Sequence, residues 1–128
     1  MRILLDTHIL LWALMEPQRL GAALCATLED PGHEILFSSA SIWEMSIKAA
    51  LGRAAFPVSP ARIVETALST GFVELPVGSP AALQVAFLPH HHRDPFDRLL
   101  VAQAMTEPAT FYTADKTLAA YSELVVCI

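Results

Sequence analysis

An α/β domain with a central, mostly parallel sheet is predicted by three features of this 128-residue chain. Five short apolar runs alternate with longer helical stretches, the order that right-handed crossovers between parallel strands require. The first run, Arg2-Ile3-Leu4-Leu5, is continuous rather than alternating, as in a strand covered on both faces. The composition is also apolar, with 54% hydrophobic and only 16% charged residues and a mean hydropathy of +0.46. Such an excess needs a two-sided buried sheet, a partner interface, or both. At this length the chain reads as one domain, residues 1–128, able to bury roughly two-thirds of its unfolded surface.

The same composition excludes several classes. No apolar run approaches the ~18 residues of a membrane span. The apolar start from Met1 is cut off by Asp6, too short for a secretory signal, so a cytoplasmic protein is expected. A net charge of −5 argues against holding nucleic acid by bulk electrostatics. It leaves room for a nuclease whose acidic site is neutralised by bound cations. Cys25 and Cys127 form no C-x-x-C pair and read as two free thiols.

In chain order, Thr7-His8 open a helix through about Leu14 that has almost no polar face, and Pro17 breaks it. Gly21 to about Leu28 reads as a second helix, and the pair carries more apolar surface than a small sheet can cover. Glu34 to Ser38 is the second strand, followed by a helix capped by Ser39 or Ser41, with Glu44 in its first turn and Lys48 one turn later. Pro60 to Ser69 is a helix bounded by Ser59 and Gly71, Phe72 to Leu75 a strand, and Pro80 to Leu88 a helix. After the loop Pro89-His90-His91-His92, Asp94-Pro95 marks a helix start: the Asp accepts from first-turn N–H groups and Pro at N1 costs no hydrogen bond. That helix is apolar on nearly every face and so buried, with Asp97 at its N3 position. Thr110 to Thr113 is a strand with Asp115 just past its end. Leu118 to Tyr121 is a helical turn or two, and Leu124 to Cys127 a last strand.

Ligands of open parallel sheets sit outside the carboxyl ends of the strands. Asp6, Glu44 and Asp115 map to that edge, and Asp97 joins them if its helix starts there. Two like charges ~5 Å apart cost about 3 kcal/mol at an effective dielectric of ~20. Such a cluster persists only if protonated, paired or bound to metal. Oxygen-only ligands favour Mg²⁺ or Mn²⁺ over zinc, and an open carboxylate cleft of this kind suits phosphodiester hydrolysis.

With these residues in place, the chain resembles a PIN-domain ribonuclease, and within that family the VapC toxins of bacterial toxin–antitoxin pairs. The resemblance covers nearly the whole chain: Leu4-Leu5-Asp6-Thr7-His8 through Trp12, Ser41-Ile42-Trp43-Glu44 with Lys48 and Gly52, Asp94-Pro95-Phe96-Asp97-Arg98 through Gln103-Ala104, and Thr113-Ala114-Asp115. It implies a three-layer α/β/α PIN fold and a catalytic, metal-holding tetrad of Asp6, Glu44, Asp97 and Asp115. It further implies Mg²⁺ or Mn²⁺ as cofactor, RNA as substrate, and a cognate VapB-like antitoxin as partner, in a homodimer or a toxin–antitoxin hetero-oligomer. Gly21 departs from relatives that often carry a Ser capping the second helix, which bears on helix start rather than chemistry.

Each residue also has a plainer role. Asp6 at a strand end would also cap the next helix, and Glu44 with Lys48 at i, i+4 is ordinary helix-pair spacing. Asp94 reads as a cap and Asp97 as a ligand. Thr113 either holds a water at the site or fills a strand. Lys48 has a role near RNA phosphate or none, and Arg93 and Arg98 bind phosphate or pair with carboxylates. The His90-His91-His92 run reads as a solvated loop, since consecutive residues cannot easily face one ion. Leu10, Leu11 and Leu14 are the expected antitoxin-docking residues. Two other functions compete: a catalytically inactive module binding metal or antitoxin, and a phosphotransfer domain using Asp6, which would want an Asp where His8 stands.

Overall fold

The computed structural model describes residues 1–52 and 59–128. Five strands, β1 (Arg2–Leu5), β2 (Glu34–Ser38), β3 (Val73–Leu75), β4 (Thr110–Thr113) and β5 (Val125–Cys127), form one sheet in the order β3-β2-β1-β4-β5. Every neighbouring pair is parallel. The chain leaves β1 toward β2 on one side and reaches β4 on the other, so the order reverses beside β1. That is where the carboxyl edge of a parallel sheet opens a crevice.

Alternation along the strands divides the core in two. Ile3, Leu5, Ile35 and Phe37 face α1 (Thr7–Met15), α2 (Ala22–Glu29) and α4 (Pro60–Thr70), meeting Ile9, Leu10, Leu24, Ile63 and Ala67. Leu4, Leu36 and Phe111 face the other way, toward Ala81-bearing α5 (Ser79–Gln84) and α6 (Pro95–Thr106), where Leu100, Val101 and Ala104 are buried. Helices on both faces of the sheet make the three-layer α/β/α architecture. A 3₁₀ turn at Val85–Phe87 follows α5, and another at Lys116–Tyr121 links β4 to β5. Among the described residues no helix is long and apolar enough to cross a membrane.

Several expectations need adjustment. The cap of α3 (Ser39–Ala50) is Ser38, the last residue of β2, whose hydroxyl accepts from Ala40 N at 3.0 Å, and not Ser39 or Ser41. The same Ser38 hydroxyl donates to Gln103 Oε1 on α6, tying strand to helix below the site. The earlier cap moves Glu44 into the second turn of α3 rather than the first. Gly21 precedes α2 with φ 84° and no side-chain cap, a backbone conformation that suits glycine.

Leu10 does not belong to an exposed docking face: it is 0% exposed, in the core between α1 and the sheet. Leu11 and Leu14 are partly buried against the same core. A helix that is apolar all round offers no periodicity from which its outward side can be read.

Candidate active site

The acids gather at the carboxyl edge of β1 and β4 because strands end there and helices begin there. Asp6 follows β1 and is the N-cap of α1, its Oδ1 accepting from His8 N at 3.3 Å. Asp94 is the N-cap of α6, accepting from Phe96 N at 2.8 Å and Asp97 N at 3.5 Å, with Pro95 in the first turn. Asp97 lies in that first turn. Asp115 caps the 3₁₀ turn after β4, its Oδ1 accepting from Thr117 N at 3.0 Å and Thr117 Oγ1 at 2.7 Å. The positive ends of these helical segments therefore converge on the acids and offset part of their repulsion. Glu44 reaches in from α3.

The first two acids are buried. Asp6 and Glu44 are 5% and 4% exposed. Thr113, fully buried at the end of β4, donates its hydroxyl to Asp6 Oδ2 at 2.5 Å and accepts from Asp115 N at 3.0 Å. It thus holds Asp6 directly. Thr7 donates to Glu44 Oε1 at 2.9 Å, with Ser41 Oγ at 2.8 Å, and Lys48 Nζ reaches Glu44 Oε2 at 2.8 Å. Burial raises the Asp6 carboxyl above its ordinary value, with Glu44 pushing the same way. The Thr113 hydrogen bond and His8 oppose the rise.

The other two acids sit nearer solvent, with Asp97 and Asp115 side chains 16% and 37% exposed. Burial first, then the charges of Asp6, Asp94 and Glu44, push the Asp97 carboxyl up to about 7, and His92 opposes them. Asp115 goes the other way, lowered chiefly by the Thr117 hydroxyl, with the Thr117 N–H and His92 adding to it. His92 joins the two: its Nε2 is 2.7 Å from Asp115 Oδ2 and 3.7 Å from Asp97 Oδ2. Ligand-type atoms of His92, Asp97 and Asp115 all lie within 4.8 Å of one another.

His92 is thus not in a solvated loop apart from the site, and it is the site residue that sequence reasoning missed, together with Thr7, Ser41 and Thr117. The signal available was its position two residues before the Asp94-Pro95 cap, where the chain turns toward the acid-bearing end of α6. Arg98 departs in the opposite sense. It is 8% exposed and faces neither the acids nor solvent. Its guanidinium donates to the carbonyls of Pro89 at 3.0 Å and Val85 at 3.1 Å, and to Tyr121 Oη at 3.2 Å. It closes the end of the Val85–Phe87 turn and anchors the loop that carries His92. At the rim, Trp43 stands 61% exposed beside Glu44, its ring edge-on to Phe96 at 5.2 Å, next to Asp97.

This donor set fits a hard divalent cation. Carboxylate oxygens suit such an ion: Asp97 and Asp115 bring theirs within 4.8 Å of each other and of His92, while Asp6 and Glu44 act on Asp97 as neighbouring charges rather than within that group. An Asp97 carboxyl held near 7 by burial first and then by those like charges marks a place where positive charge would be welcome.

No curated protein matches the chain significantly. Solved structures do. VapBC2 from Rickettsia felis, bound to a DNA fragment from its promoter, is similar with a TM-score of 0.72 at 15% identity, covering 100% of this chain and 98% of that one. FitAcB from Neisseria gonorrhoeae is similar with a TM-score of 0.63 at 21% identity, covering 98% of this chain and 96% of that one. VapBC-1 from nontypeable Haemophilus influenzae gives 0.63 at 16% identity, with 99% and 98% covered. At such identities the likeness is one of fold. The model of the PIN domain, in contrast, matches residues 3–124, from the first strand to beyond all four acids, and the chain belongs to the PIN-domain family.

Proposed function

We propose that this chain is a metal-dependent endoribonuclease of the VapC type, the toxin of a toxin–antitoxin pair. The observation that carries the reading is the convergence of Asp6, Glu44, Asp97 and Asp115 on the carboxyl edge of β1 and β4, in a chain of the PIN-domain family. These four carboxylates would hold Mg²⁺ or Mn²⁺. When bound, the cation supplies Lewis acidity toward the phosphodiester and toward the water that attacks it.

The chain's own contribution is to prepare that place. Thr113 and Thr7 fix the carboxylates of Asp6 and Glu44 from inside the fold. Lys48 Nζ pairs with the buried Glu44 carboxylate at 2.8 Å. Asp97, near 7, gives up its proton as a cation arrives, so binding strengthens as pH rises. The exposed ring of Trp43 at the rim offers a nucleobase a stacking surface, which favours RNA over a small phosphoester. The similar VapBC and FitAcB structures support an antitoxin partner for this chain too.

The test is incubation of purified protein with RNA in Mn²⁺, in Mg²⁺ and in EDTA, beside Glu44→Gln. Cleavage that needs the cation and vanishes in Glu44→Gln is the expected result. Cleavage that persists in EDTA overturns the metal-dependent reading. Cation binding without cleavage of any RNA makes the chain a non-catalytic module instead.

A further inference from the structure

We propose that His92 is a positioning residue: its Nε2–H holds Asp115, with Asp97 beside it, in the arrangement that receives the cation, and it does not itself ligate the cation. This rests on the reading of Asp97 and Asp115 as metal-holding residues. The spacing of His92, Asp97 and Asp115, with ligand-type atoms within 4.8 Å, would equally suit a three-ligand site with an imidazole in it. The hydrogen bonds decide between the two.

The Asp94 backbone N–H donates to His92 Nδ1 at 3.0 Å. An Nδ1 that accepts carries no proton, so the ring proton sits on Nε2, and it is Nε2 that faces Asp115 Oδ2 at 2.7 Å. A nitrogen bearing a proton has no lone pair for a cation. It is a donor to one carboxylate and lies within reach of a second. Thr117 holds the other oxygen of Asp115 with two hydrogen bonds, so both oxygens are oriented, and Oδ2, with the one bond from His92, keeps a lone pair to spare.

The ring is also held in place from behind. Tyr121 Oη accepts from the backbone N–H groups of His91 at 3.1 Å and His92 at 2.9 Å. Arg98 donates to the same oxygen at 3.2 Å and to Pro89 O at 3.0 Å. The loop from Pro89 to His92 is therefore tied to α6 and to the 3₁₀ turn after β4, the two elements that carry Asp97 and Asp115. Asp94 caps the helix bearing Asp97 with its side chain and sets the His92 tautomer with its backbone. Hydrogen bonds of this kind, one step behind the ligands, change metal affinity about 10- to 100-fold when removed.

The experiment is calorimetric titration of MnCl₂ and of MgCl₂ into wild type, His92→Ala, His92→Gln and Tyr121→Phe, with thermal melts in EDTA. His92→Ala should bind both cations about 10- to 100-fold more weakly, and in the same proportion. His92→Gln, whose amide N–H stands where Nε2–H did, should recover most of the loss. Tyr121→Phe should weaken both cations by a smaller factor, because the loop is loosened and the donor kept. If His92→Ala does not fold, the contrast between His92→Gln and Tyr121→Phe carries the same test. Unchanged affinity in His92→Ala overturns the inference alone. A loss confined to Mn²⁺, with no recovery in His92→Gln, makes His92 a ligand and overturns it as well. A wild type that takes up neither cation overturns the metal reading and this inference with it.

Discussion

The two halves of the acid cluster are built differently. Asp6 and Glu44 are sealed inside, each held by a hydroxyl from a strand end or helix start, and their environment is set by the folded core. Asp97 and Asp115 lie at the rim, bridged by an imidazole on a loop and adjusted in opposite directions, one carboxyl up and the other down. Burial is the largest cause of the first shift and a neighbouring hydroxyl the largest cause of the second. A site divided in this way has a rigid inner wall and an outer wall that depends on one loop.

The largest effect expected is on the rim acid with the raised carboxyl. Asp97→Asn keeps the shape and removes the charge, and single-turnover RNA cleavage should fall at least about 100-fold, roughly 2.7 kcal/mol of lost transition-state stabilisation. Its melting temperature in EDTA should not drop, because a carboxyl crowded by like charges has gone. Normal cleavage by Asp97→Asn would place the chemistry elsewhere.

Next is the metal itself. Mn²⁺ at 100 times its dissociation constant should stabilise the fold by about 2.7 kcal/mol. The pH dependence in EDTA has a definite sign. Asp6 and Asp97 have carboxyls raised above the ordinary 3.8, so the stability they contribute is fully present below that value. For Asp97 it is lost as pH rises through about 7. Melts of the metal-free protein should therefore fall from about pH 5 to about pH 8, with a shallower slope in Asp97→Asn and in saturating Mn²⁺. Asp115, lowered, loses its contribution only as pH falls below the ordinary range, outside that window. A metal-free protein that grows more stable across it would contradict the assignment.

A paired substitution sharpens the contrast between the walls. Thr113→Val strips a buried carboxylate of its hydroxyl and the Asp115 N–H of its acceptor, a loss of about 1–3 kcal/mol. Thr117→Val removes a comparable hydroxyl from a carboxylate open to water and should cost a few tenths at most. Equal costs in chemical denaturation would mean that the inner wall is no more built into the core than the outer. The smallest effect belongs to Asp94→Asn: Asn caps as well as Asp, and cleavage should stay within a few-fold of wild type.

Much of this was legible in the sequence because it is local. Asp94-Pro95 announces a helix start whatever lies around it, and five apolar runs between helices leave few topologies to choose from. The three acids at strand or helix ends follow from the same logic. What was not legible depends on partners far along the chain. His92 meets Asp115 across 23 residues, and nothing in three successive histidines says which one turns inward. Arg98 could not be read as buried, because the carbonyls that receive it belong to a different turn. Ser38 was hidden among neighbouring serines, any of which can cap, and Leu10 lay on a helix without a polar face to orient it.

The hydrogen bond between Asp6 and Thr113 spans 107 residues. Its two ends come from the central strand and from β4, almost the first and nearly the last pieces of the sheet to leave a ribosome. A nascent chain that has presented Asp6, Glu44 and even Asp97 still lacks the strand that completes the site. For the RNA-cleaving enzyme proposed above, this order of emergence would be a safeguard in time: the site is completed only once β4 has been made. By then a partner has had the time that the preceding strands take to be made in which to be waiting.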